Sequence, residues 1–216
     1  MILIHLPLAF RNVNGVFFDS FRTIYQKAFL MNDFMQLNDV VLIGRTMEEY
    51  LRLFALNNSY KSERILDAAS GICSFTAEAR ALGWDVTASD RVYQFDADTI
   101  EQKSRQDLKE ITEKLEPIQE RHFFPDIPAL QKQREKAYTL FLEDYRQYGQ
   151  KRYHPVTYPN SPFADNQFTV TLVSHFLFLY EDQLDYDFHK TTLQELLRIT
   201  EKEIRLFPIV NLRNER

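Results

Sequence analysis

The chain has 216 residues, 44% hydrophobic and 26% charged, which suits one globular domain or one domain with an elaborate insertion. A formal net charge of -5 and a pI near 5.6 leave no global basic excess to hold a phosphate backbone, which argues against nucleic acid as a partner. Cys73, the single cysteine, excludes an intrachain disulfide and a Cys-built metal centre and fits a reducing cytoplasm. The apolar start MILIHLPLAF has neither the basic region nor the cleavage site of a signal peptide, and no apolar run approaches the ~20 residues that cross a bilayer.

Residues 17–56 are expected to be mostly helical. The pattern is clearest in RTMEEYLRLFAL (45–56), where Thr46 and Glu49 have the spacing of a capping box. Met47, Tyr50, Leu51, Phe54 and Ala55 then recur at helical spacing. After a polar loop (57–63), RILDAAS (64–70) reads as a buried strand and its exit. SFTAEARALG (74–83) is a helix ended by Gly83, and WDVTASD (84–90) is a second strand. Strand, helix and strand in this compass form a βαβ unit, which builds a right-handed crossover in a parallel sheet.

Residues 95–152 show no convincing strand. Leu130, Ala137, Tyr138, Phe141, Tyr145 and Tyr148 mark the apolar stripe of a long helix, with Pro125 and Pro128 before it and Gly149 after it. The expectation is a helical insertion after the second strand. YHPVTYPNSPFADNQ (153–167), with three prolines, is expected to be loop. FTVTLVSHFLFLY (168–180) is the best buried-strand candidate. Asp187 to Thr200 is a helix with Phe188, Leu193, Leu196 and Leu197 on one face, and EIRLFPIV (203–210) is a last strand. The predicted class is α/β, a Rossmann-like sheet with helices on both faces, in a single domain. Its parts are an N-terminal helical cap (1–60), a core (61–94 and 153–216) and the insertion (95–152).

Sheets of this kind bind ligands at the carboxyl ends of their strands. The first exit reads Asp67, Ala68, Ala69, Ser70, Gly71, small residues that let a ligand approach the backbone, and Gly71 permits a positive φ. Asp67 can accept hydrogen bonds from the loop or from an ammonium group. Asp90, 19 residues after Gly71, is placed to accept both hydrogens of a ribose diol, with Arg91 and Val92 beside an adenine. The plainer readings are helix–sheet packing for the small residues and a helix N-cap for Asp90.

ILDAASGICSFTAEARALGWDVTASD resembles the first motif and second-strand acid of class I S-adenosylmethionine-dependent methyltransferases. SPFADNQFTVTLVSHFLFLY resembles their fourth-strand block, and LQELLRITEKEIRLFPIV their fifth helix and strand. GRTMEEYLRLFAL and the SHFLFLYEDQLDY run resemble a bacterial subgroup of unknown substrate. The resemblance implies S-adenosylmethionine as cofactor, with Asp67, Ala68, Ala69, Ser70 and Gly71 along its amino-acid half and Asp90 on the ribose. It places Ser174 and His175 at the fourth strand's tip, near the sulfonium or the acceptor. Arg45 and Tyr50 would close the pocket from the N-terminal helix.

The chain departs from the family's pattern at several points. Ala69 and Cys73 stand where the motif has glycines, and Thr169 follows Phe168 where an acid is expected. No third strand is legible, and only six residues follow Val210 where the family adds a strand hairpin. A missing hairpin would expose a strand edge, which a homodimer contact could cover.

His175 is the one polar group well placed as a general base, though such a residue also serves as a hydrogen-bonded structural group. Without an Asn/Asp-Pro-Pro-aromatic sequence at the fourth strand, methylation of base or amide nitrogen is disfavoured. His122, His154, His175 and His189 lack metal-ligand spacing. Cys73, at a helix N-terminus where a thiol pKa can fall, reads as a glycine substitute before a nucleophile. The leading expectation is a methyltransferase acting on a small molecule, with the insertion and the N-terminal helices as substrate lid. The alternative is a non-catalytic S-adenosylmethionine-binding or protein-interaction module, which would bind cofactor without methylating any acceptor. A dinucleotide-dependent enzyme ranks third, because the loop lacks Gly-x-Gly-x-x-Gly.

Overall fold

The computed structural model describes residues 41–122, 127–180 and 183–209; the helices expected before residue 41 and the end of the chain from Val210 lie outside them. Helix α1 (Met47–Leu53) starts where the sequence requires it. The Thr46 hydroxyl accepts from the Glu49 N–H at 3.4 Å, and the Glu49 carboxylate accepts from the Thr46 N–H at 2.8 Å. Strand β1 (Arg64–Ala68), helix α2 (Phe75–Ala81) and strand β2 (Asp85–Asp90) form the expected βαβ unit, and Gly83 follows α2 at φ +81°. Two long helices follow, α3 (Ala97–His122) and α4 (Ile127–Tyr148). Strand β3 (Tyr153–Pro155), strand β4 (Phe168–Ser174), helix α5 (Tyr186–Ile199) and strand β5 (Thr200–Phe207) complete the described chain.

All five strands run parallel in the order β3-β2-β1-β4-β5, an α/β, Rossmann-like sheet. Side chains alternate across a strand, so the two faces separate cleanly. Ile65, Val86, Val170 and Leu172 face α1 and α2, where Tyr50 stacks on Phe75 with centroids 4.6 Å apart. Farther along that face, Ala88 and Tyr153 meet Tyr138, Phe141 and Tyr145 of α4. Leu66, Ala68 and Val173 face the other way, toward Leu196 and Ile199 of α5. Each large side chain buried here contributes roughly 1.5–3 kcal/mol, so the α4 aromatics hold the insertion to the sheet as core.

Four expectations are corrected. Tyr153–Pro155 is not loop but the third strand, pairing in register with Ala88–Asp90. Among the described residues it is an edge strand, where Pro155 needs no ladder donor. The apolar run of β4 does not continue to Tyr180: it stops at Ser174, because His175 turns at φ +53°, and Phe178–Tyr180 is a 3-10 turn. The last strand is already formed at Thr200. On α5 the buried positions are His189, Thr192, Leu196 and Ile199, while Leu197 is exposed. No helix among the described residues is long and apolar enough to cross a membrane.

Candidate functional site

The order of the strands puts the topological switch point at the carboxyl ends of β1 and β4, whose onward connections run in opposite directions along the sheet. Asp67 shares a face with Ile65 and so points toward α1. It is fully buried, and its Oδ1 accepts from the Tyr50 hydroxyl at 3.0 Å. Its Oδ2 is buried with no hydrogen-bond partner among the described residues. Burial pushes the Asp67 carboxyl well above the usual range; the Tyr50 bond opposes the rise and the nearby Asp90 charge adds to it. The Tyr50 hydroxyl is itself raised well above its ordinary value, first by burial and then by Asp67.

The loop after β1 turns through Ala69 at φ +52° and Gly71 at φ +55°. A Cβ on Gly71 would meet nothing within 4 Å, so the glycine there serves conformation and not space. Asp90 is half-buried and ties this loop to the second strand: Oδ2 accepts from the Gly71 N–H at 2.9 Å and Oδ1 from the Val92 N–H at 2.8 Å. It therefore is the N-cap of a 3-10 turn over Arg91–Gln94, the plainer of the two readings, and it also faces the loop. Burial raises its pKa against those two bonds and Arg91.

The other predicted positions divide by place. Ala68 and Val92 are buried in the core clusters, Ser70 is buried, and Arg91 is exposed. Arg45 is buried, with its Nε 3.8 Å from Glu49 Oε1, and its N–H donates to Cys73 Sγ at 3.2 Å. Cys73 is no low-pKa thiol: burial pushes it up to about 12, which corrects the helix-terminus argument for a nucleophile. At the β4 tip, the Ser174 hydroxyl lies 2.8 Å from His175 Nδ1, and the His175 N–H donates to Phe207 O at 2.6 Å. Burial lowers the His175 pKa well below its ordinary value, and Arg45 and Arg134 lower it further.

Two residues of this site, Tyr93 and Arg134, escaped the sequence argument. The Tyr93 hydroxyl bonds Ser70 Oγ and Gly71 O, both at 2.7 Å, bracing the loop from below. Arg134 and Glu49 form a buried ion pair, at 2.5 Å and 3.1 Å. Arg134 lies at helical spacing on the same stripe as Ala137, Tyr138 and Phe141; a cation in an apolar stripe was the signal for it.

The chain is 44% identical over 187 residues to the uncharacterized protein MJ0045 of Methanocaldococcus jannaschii, across 85% of this chain and 84% of that protein. It belongs to that protein's family. No family model matches the chain, and no solved structure does. The relative is archaeal, and family membership carries no activity with it.

Proposed function

We propose that the chain is an S-adenosylmethionine-dependent methyltransferase of the class I type, acting on a small molecule, with its cofactor across the exits of β1 and β2. The observation that carries this reading is Asp67 Oδ2, a buried carboxylate oxygen at the tip of β1 without a hydrogen-bond partner among the described residues. Buried carboxylates are ordinarily hydrogen-bonded, and an ammonium group supplies both the missing donor and the charge. The fit extends to Asp90, whose oxygens each accept one backbone N–H and keep a second lone pair for a ribose hydroxyl.

The bound cofactor would supply an electrophilic methyl group. The chain's part is to orient and to handle the proton. Asp67 and Tyr50 hold the amino-acid end, and the left-handed turns at Ala69 and Gly71 bring backbone close to it. His175, with Nδ1 2.8 Å from the Ser174 hydroxyl, is the group at the β4 tip that would take a proton from the acceptor. The second reading, a binding module without turnover, draws on Ala69 and Cys73, whose side chains narrow a loop that the resemblance gives to glycines.

Calorimetric titration with S-adenosylmethionine and S-adenosylhomocysteine, alongside Asp90→Ala, tests the proposal. We expect binding in the micromolar range, weakened about a hundredfold by the variant, which removes charge-assisted bonds worth ~1.5–3 kcal/mol each. No heat and no thermal shift with either compound sinks the methyltransferase reading. Binding without methylation of any acceptor in a screen favours the module.

A further inference from the structure

We propose that Arg134, on the insertion helix α4, is a positioning residue for the ligand loop, acting through Glu49 and Tyr50 on Asp67. The inference rests on the ligand site proposed above and adds to it a part for the insertion.

Arg134 Nη1 donates to Gly44 O at 2.6 Å and to Glu49 Oε2 at 3.1 Å, and its Nη2 donates to Glu49 Oε1 at 2.5 Å. Both side chains are almost wholly buried, at 3% and 4% exposure. The same Glu49 closes the capping box that starts α1, accepting from the Thr46 N–H and, at 3.1 Å, from the Thr46 hydroxyl. One carboxylate therefore fixes the first turn of α1 and is itself fixed from α4.

That turn carries Tyr50, one residue on, whose hydroxyl reaches Asp67 at 3.0 Å. The segment before it lies directly on the ligand loop. The Arg45 N–H donates to Cys73 Sγ, the Ser74 N–H donates to Arg45 O at 2.9 Å, and the Met47 N–H donates to Glu78 Oε1 at 3.0 Å. Gly44 fits so closely that a Cβ there would stand 2.2 Å from Ile72 O. Residues 44–50 thus form a bar between α4 and the exit of β1, and the planar two-pronged contact of Arg134 sets its register. A buried pair whose only role was stability would be replaceable by packed apolar residues. This pair sits where its geometry decides the direction of the Tyr50 hydroxyl.

The test is a double-mutant cycle on the full chain between Arg134→Met and Tyr50→Phe. It is read by calorimetric affinity for S-adenosylhomocysteine and by amide hydrogen exchange of residues 66–74 in protein without ligand. Each single variant should weaken binding about tenfold, and the pair together still about tenfold rather than the hundredfold of independent sites. Exchange over 66–74 should rise with Arg134→Met and rise no further when Tyr50→Phe is added. Should Arg134→Met fail to fold, Arg134→Lys carries the cycle, keeping the charge and losing the fork. Additive losses overturn the assignment, as does a variant that lowers the melting temperature while leaving affinity and loop exchange unchanged. If the wild-type chain binds nothing, the ligand reading fails separately, and the exchange arm decides whether Arg134 sets the loop.

Discussion

At the exit of β1 the chain turns through Ala69 at φ +52° and Gly71 at φ +55°; at the exit of β4 it turns through His175 at φ +53°. The left-handed region costs a residue with a Cβ about 1–2 kcal/mol, and such residues persist where their surroundings over-determine them. The surroundings differ. The β1 exit is held by side chains brought from elsewhere: Asp90 on the Gly71 N–H, Tyr93 on Gly71 O, and the bar at Gly44–Tyr50. The β4 exit is held by its neighbour in the sheet, with the His175 N–H on Phe207 O and the two rings 5.4 Å apart. One exit gathers acids and the other a base, yet burial suppresses the charge of both, raising Asp67 and lowering His175.

The largest effect expected from this contrast is at Gly44. Alanine there puts its Cβ 2.2 Å from a backbone oxygen, which no side-chain rotation relieves. Overpacking against rigid backbone costs about 3 kcal/mol or more. Ser174→Ala at the β4 exit removes one hydroxyl contact and costs about 1 kcal/mol. Urea unfolding of the two variants measures the difference. Equal costs would mean that residues 44–50 give way freely and do not brace the β1 exit.

The two exits should also answer pH with opposite signs. The folded pKa of Asp67 lies above its unfolded value of about 3.9, so its stability contribution is complete below pH ~4 and is lost as pH rises toward the folded pKa. His175 has a folded pKa below its unfolded value of about 6.5, so its contribution is complete above that pH and is lost as pH falls below it. Each loss runs at about 1.4 kcal/mol per pH unit within its window. Asp67→Asn should therefore be more stable than wild type at pH 7 and equal to it near pH 3.5, while losing S-adenosylhomocysteine binding. His175→Gln should gain at pH 5 and match wild type at pH 8. Unfolding midpoints across pH decide it, and two variants that gain in the same window would remove the contrast.

What the sequence disclosed divides along the same line. The β1 exit was legible because local chemistry announces it: a capping box at Thr46 and Glu49, small residues after Asp67, and an acid at the end of the next strand. β3 was not legible, since three residues give no periodicity and Pro155 argues against a strand until its edge position is known. The end of β4 was hidden because hydrophobicity continues through Phe176, Leu177 and Phe178 while the backbone turns at His175. The pairing of Arg134 with Glu49 and of Tyr93 with the loop joins residues 85 and 22 apart in the chain, and no local pattern names those partners.

The smallest effect expected, and the finest test of the β1 loop, is Ala69→Gly. Glycine removes the left-handed penalty of about 1–2 kcal/mol and adds about 0.5–1 kcal/mol of chain entropy to the unfolded state, so the net gain is about 0.5–1 kcal/mol. Ala55, after α1 at φ 48°, is the control. Ala55→Gly should give a similar gain in urea unfolding with no change in affinity for S-adenosylhomocysteine. Ala69→Gly should gain stability and tighten binding, because it removes a methyl group beside the proposed ligand. If both variants gain stability and neither alters binding, the strain at Ala69 belongs to the turn alone and the ligand does not touch it.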